Sequence, residues 1–119
     1  MNKQALPVFD PYSVALEKLN PADDELFRVR QHWDMFDRLR KEDPLHWSEG
    51  NEDTGPYWSV TRYEDIFYVD THNELFSSEP SIVLPDNDDD FQVEMFIAMD
   101  QPKHDEQRKV VSPTVAPFH

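Results

Sequence analysis

His104 and Arg108 stand four residues apart in the string Asp100-Gln101-Pro102-Lys103-His104-Asp105-Glu106-Gln107-Arg108. On a helix that spacing stacks them on one face. An imidazole and a guanidinium arranged in this way form a clamp for a bound carboxylate, because the guanidinium offers paired N–H donors that match two carboxylate oxygens. Neighbouring residues favour the helix. Asp100 is placed to cap its free N–H groups, and Pro102 suits a first turn, where a missing N–H is not needed. Val111 and Val115 continue the stripe, which predicts that His104 and Arg108 face a buried layer. Asp105 and Glu106 fall off that face. A buried arginine needs an anionic partner, so a carboxylate or phosphate from outside the chain is expected.

Other chemistry is poorly represented. Asp86, Asp88 and Asp90 copy the first three acidic positions of a calcium loop, but Phe91 stands where glycine is needed and Ile97 where glutamate is needed. The five histidines, His32, His46, His72, His104 and His119, show no zinc spacing. With two glycines there is no dinucleotide or phosphate loop. No Ser or Cys sits in a nucleophile frame, so no catalytic residue is assigned.

The elements that position these residues can be read from periodicity and punctuation. Residues 1–20 form a polar N-terminal extension, in which Asp10-Pro11 caps a short helix around Tyr12 to Lys18. Asn20-Pro21 signals a second helix, with Asn as cap. Leu26, Val29, Trp33, Phe36 and Leu39 then recur at helical spacing, and Asp43-Pro44 ends the run. Leu45-His46-Trp47-Ser48 and Tyr57-Trp58-Ser59-Val60 alternate as strands and flank both glycines, which predicts a β-hairpin. Thr61-Arg62-Tyr63-Glu64 reads as a capping box opening a helix to about Asp70. Leu75 and Phe76 read as a buried pair in a turn. Residues 79–94, with Pro80, Pro85 and the acidic run, read as a long, mobile loop, and a last helix covers about Gln101 to Val111, limited by Pro113 and Pro117. The fold class is mainly α with a small β-hairpin (α+β).

Composition narrows the partners. The formal net charge is −14. An acidic surface repels nucleic acid and anionic membrane. From Glu79 to Pro102 there are seven acids and no Lys or Arg, so Lys103, Arg108 and Lys109 form a local basic island. Hydrophobic residues are only 38% of the chain, yet 3 Trp, 4 Tyr and 8 Phe are present. These few, large apolar groups read as faces meant to pack on further structure. The absence of cysteine excludes disulfides and Cys-based zinc. There is no signal-peptide pattern and no apolar run long enough to cross a bilayer.

Four strings occur in order: 36–47 (Phe36-Asp37-Arg38-Leu39 through His46-Trp47), 57–66 (Tyr57-Trp58-Ser59-Val60 through Asp65-Ile66), Phe76-Ser77-Ser78, and Met99-Asp100-Gln101-Pro102-Lys103-His104 through Arg108 to Ser112-Pro113. Together they resemble the N-terminal part of bacterial cytochromes P-450, the haem-thiolate monooxygenases, over about residues 23 to 117. The nearest likeness is to the soluble class that hydroxylates the terminal carbon of alkanes and fatty acids. The resemblance implies that residues 1–119 are a partial domain of that fold. Its A helix would lie at 23–42, its B helix at 62–70, its B–C loop at 77–98 and its C helix at 101–112.

The same resemblance implies haem b as cofactor, with His104 and Arg108 gripping a haem propionate. Ile82, Val83, Leu84, Phe96 and Ile97 would line an apolar substrate pocket. Lys103 and Lys109 would dock an acidic ferredoxin, which carries electrons from NAD(P)H through a ferredoxin reductase. The location implied is cytoplasmic, without a transmembrane segment. A second proline often stands where this chain has Gln101, and a helix start tolerates either. The family's axial Cys, its oxygen-activating acid and Thr, and its Glu-x-x-Arg pair are absent from these 119 residues. The chain by itself therefore has no metal ligand and is expected to be inactive, since the thiolate drives O–O cleavage. The rival reading is an acidic, aromatic-rich interaction module without enzymatic activity.

Overall fold

The computed structural model describes residues 8–52, 54–84 and 94–116. The chain divides into two compact units, Met1–Ile66 and Phe67–His119. The expected mix of helices and one hairpin is present. In chain order the elements are α1 (Asp24–Arg28), α2 (Trp33–Glu42), β1 (Leu45–Ser48), β2 (Tyr57–Val60), α3 (Tyr63–Thr71) and α4 (Lys103–Val115), with single 3-10 turns at Pro11–Ser13, Leu16–Lys18 and Phe96–Ala98.

In the first unit the N-terminal segment is a strap and not an α-helix. Asp10 does cap the Pro11–Ser13 turn, accepting from the Tyr12 N–H at 2.9 Å. Val14 is then extended and the chain re-enters a single turn. The strap is fastened by Arg38 of α2. Its Nη1 donates to the carbonyls of Pro11 at 2.5 Å and Val14 at 2.7 Å, and its guanidinium lies 4.9 Å from the centre of the Tyr12 ring. Leu19, Met35 and Leu39 form the buried core, with Phe9, Val14, Leu16, Leu26 and Phe36 packed around them.

The expected continuous helix over 23–42 is broken in two. Arg30 has φ 59°, in the left-handed region. The Arg30 N–H bonds the Phe27 carbonyl and the Gln31 N–H bonds the Leu26 carbonyl, which together make the paired C-terminal closure of a Schellman motif. Arginine takes the place usually held by glycine, so residue type gave no signal. Gln31 Oε1 also accepts from the Phe9 N–H, tying the break to the strap. Asn20 is likewise not the cap. Its Oδ1 receives the Tyr57 hydroxyl at 2.5 Å, and Asp23 caps α1 instead, accepting from Glu25 and Leu26 N–H groups.

The hairpin forms with the expected strands. It is antiparallel, with Leu45 opposite Val60, His46 opposite Ser59, Trp47 opposite Trp58 and Ser48 opposite Tyr57. Gly50 has φ 70°, and an added Cβ would sit 1.7 Å from the Gly55 carbonyl oxygen, so the turn admits no side chain there. The inward face is the polar one: His46, Ser48 and Tyr57 are buried, whereas Leu45, Trp47 and Trp58 are exposed. Thr61, read from sequence as a capping residue, is tied to Pro44, whose carbonyl accepts from both its N–H and its hydroxyl.

In the second unit Leu75 and Phe76 are exposed, against the expectation of a buried pair. The turn is closed instead by their N–H groups on the His72 carbonyl, and Phe76 meets only the edge of Tyr68. The helix α4 runs through Pro113 to Val115, past the expected stop. The proline removes one ladder donor, but the Ser112 hydroxyl donates to the Arg108 carbonyl at 2.8 Å and the Ala116 N–H closes on Ser112 at 3.0 Å. The acidic run with Asp86, Asp88 and Asp90 lies outside the described residues.

Candidate functional site

The candidate site is built on α4. Its N-terminal end rests on the 3-10 turn Phe96–Ala98, whose Ala98 is buried. Phe96 stacks on the His104 imidazole, with ring centres 6.0 Å apart and planes 28° from parallel. Asp100 does not cap the helix with its side chain. Pro102 takes the cap position without a side-chain bond, and the Asp100 carboxylate turns back to accept from the Ser77 hydroxyl and the Ser78 N–H. A backbone bond of 3.1 Å still joins the Asp100 carbonyl to the His104 N–H.

His104 and Arg108 share one face of α4, about 40° apart around the axis. The expected burial of that face is not found. No residue of α4 is buried; the His104 side chain is 26% exposed, Val111 is 38% exposed and Val115 is 74% exposed. The physical reason is the composition of the helix. Only three valines are apolar among its thirteen residues, and Val110 points away from the stripe of Val111 and Val115. His104 is not without an acid either: its Nδ1 lies 3.3 Å from Asp105 Oδ1. The Arg108 guanidinium makes no ion pair among the described residues.

The remaining site residues scatter. Lys103 and Lys109 are both exposed, but six positions apart on a helix they diverge by roughly 120°. Lys103 lines a cavity of about 180 Å³ with Glu79, Pro80, Glu94, Met95, Ala98 and Met99. Ile82, Val83, Leu84 and Ile97 are exposed, and Phe96 is half-buried with its ring against His104. Sequence reading missed three features that hold the frame: the Arg38 fastening, the Asn20–Tyr57 bond and buried His46. Each joins residues at least 24 positions apart, and local spacing gives no sign of such a pair.

The donor set suits a haem. An imidazole and a guanidinium on one exposed helix face, the latter without an ion pair among the described residues, fit an anionic carboxylate arm. The chain has no cysteine and so offers no thiolate to the iron. Among the described residues no cluster of His, Cys, Asp or Glu is arranged to bind a metal.

Known proteins give the context. No protein-family model matches the chain. Over 104 residues, 87% of the chain, it is 30% identical to cytochrome P-450 109 of Bacillus spizizenii, covering 22% of that protein. It is 33% identical over 90 residues, 69% of the chain, to a methyl-branched lipid omega-hydroxylase of Mycobacterium tuberculosis, covering 21% of that protein. Its fold matches CYP153D17 from Sphingomonas sp. PAMC 26605 with a TM-score of 0.70 and 41% identity, over 78% of the chain and 24% of the neighbour. The chain belongs to the cytochrome P-450 family, and its fold is a partial P-450 fold. It spans about a quarter of the length of the relatives it matches.

Proposed function

We propose that this chain is part of a haem-dependent monooxygenase that hydroxylates an apolar substrate, an alkane or fatty acid, at its terminal carbon. The observation that carries the reading is α4, which presents His104 and Arg108 on one face, with no ion pair to the guanidinium among the described residues, in a chain of this family. The name of the relative that is a lipid omega-hydroxylase supports the terminal position. Bound haem with a thiolate ligand supplies the activation of O2 and insertion of one oxygen atom. The part played by these residues is to hold and orient. Arg108 donates to a haem carboxylate, His104 adds a second donor beside it, and Phe96 fixes the imidazole plane.

Ile82, Val83, Leu84, Phe96 and Ile97 contribute apolar lining to the substrate pocket. Lys103 and Lys109 meet an acidic ferredoxin, which relays electrons from NAD(P)H through its reductase. The setting is cytoplasmic; among the described residues no helix is long and apolar enough to cross a membrane.

Two experiments test this reading. Hemin titrated into the 119-residue chain binds saturably, and Arg108→Ala weakens binding about fivefold, the equivalent of ~1 kcal/mol for a partly exposed charge pair. Equal affinity of parent and variant would overturn the assignment. For the reaction, the matching quarter of CYP153D17 is replaced by this chain and the chimera is supplied with ferredoxin and reductase. Terminal alcohols from an n-alkane or fatty acid are expected; a haem-loaded chimera that oxidises neither counts against the substrate class. Lys103→Ala with Lys109→Ala in that chimera flattens the salt dependence of turnover, because removing surface charge removes the screened attraction.

A further inference from the structure

Asp100 uses every polar group it has. Its carboxylate accepts from the Ser77 hydroxyl and, at 2.8 Å, from the Ser78 N–H. Its own N–H donates to Glu79 Oε1 at 3.3 Å, and its carbonyl accepts from the His104 N–H at 3.1 Å. One residue thus joins a segment more than twenty positions back to the first turn of α4. Closing a loop of that length carries an entropic cost that grows slowly with length, and three convergent hydrogen bonds oppose it. The turn Phe96–Ala98 also packs against α4.

We propose that Asp100 is a positioning residue: held by Ser77 and Ser78, its carboxylate fixes the start of α4 and through it the placement of His104 and Arg108. The functional consequence rests on reading that pair as a carboxylate clamp; the tether itself stands on the hydrogen bonds. The Ser77 hydroxyl first, and then the Ser78 N–H, hold the Asp100 carboxyl below the usual carboxylate range. Its bonds are therefore complete above the ordinary aspartate range and are lost as pH falls through the lowered value. Of the charged groups, Glu79 is bonded to Asp100, accepting from its N–H, and Lys103 and His104 follow on the first turn of α4.

The test is amide NMR of the 119-residue chain across an acid titration. The Ser78 N–H resonance is expected to follow a single step with a midpoint below the ordinary aspartate value. Asp100→Asn removes that step, and Asp100→Ala displaces the His104 and Arg108 amide resonances. A Ser78 step that survives Asp100→Asn, or unmoved His104 and Arg108 resonances in Asp100→Ala, overturns the proposal. If either Asp100 variant loses its far-UV helix signal, Ser77→Ala decides. It removes the largest stabilising donor, so the Ser78 midpoint must rise toward the ordinary aspartate value, and an unchanged midpoint overturns the proposal. Hemin titration separates the two readings. If Arg108→Ala leaves hemin binding intact while the Asp100 results hold, the clamp reading fails and the tether stands.

Discussion

His46 shows how much one side chain does for this fold. It is 1% exposed, with Nδ1 2.8 Å from Asp43 Oδ2 and Nε2 2.9 Å from the Leu19 carbonyl. Both partners are oxygens that accept, so each ring nitrogen lies where an N–H can donate. The bridge ties β1 to the end of α2 and to the strap before α1. His46→Leu keeps the bulk but leaves the Leu19 carbonyl without that donor, at a cost of about 1–3 kcal/mol for a buried unsatisfied group. Chemical denaturation of parent and variant measures it, and His46→Gln, which keeps one donor, is expected to lose less. Spacing did not reveal His46, because its partners are set by the hairpin register and by a strap 27 residues away.

At the scale of elements, the break between α1 and α2 is the feature that local patterning misread. The apolar spacing from Leu26 to Leu39 is helical throughout, yet Arg30 turns left-handed and the helix closes on itself. Arg30→Gly relieves the crowding of Cβ at positive φ and is expected to stabilise the first unit by about 0.5–1 kcal/mol after the entropy of glycine is counted. A rise in the denaturation midpoint without change in slope checks it. The helix α4 gives the opposite lesson: Pro113 signals a stop, but it costs only the one donor due to the Lys109 carbonyl, and the helix runs two residues further before the Ala116 N–H closes on Ser112. Element type was legible for the hairpin strands, α3 and α4, but not for the N-terminal strap, where a helix was expected; element ends were set by bonds between groups that local spacing does not pair.

Across the whole molecule the hairpin is turned inside out for a chain of this length. Trp47 and Trp58 pack across the strands with ring centres 5.0 Å apart and planes tilted by 59°, and Trp58 is 65% exposed. With Leu45 on the same side of the hairpin they leave an apolar face in water. Faces of this kind mark surfaces that pack on another element or chain. Concentration-dependent self-association is therefore expected by sedimentation, and Trp47→Gln with Trp58→Gln is expected to reduce it. The core beneath is small. Leu39 is fully buried, so Leu39→Ala costs about 2–5 kcal/mol, enough to abolish the cooperative thermal transition of the first unit.

The amino-acid sequence alone determined the hairpin and its strands, the helices α3 and α4, and the alignment of His104 with Arg108, because these follow from short-range periodicity and residue chemistry; the family was legible through the resemblance of four strings in order. Tertiary structure decided what those residues meet. It broke a predicted helix at Arg30, drew Asp100 away from capping toward Ser77 and Ser78, buried His46 between two acceptors and left the α4 face open. Each of these outcomes depends on groups brought together across twenty or more residues, or on a backbone turn that no local residue preference announces. Burial and hydrogen-bond partnership are properties of such encounters, and spacing along the chain does not contain them.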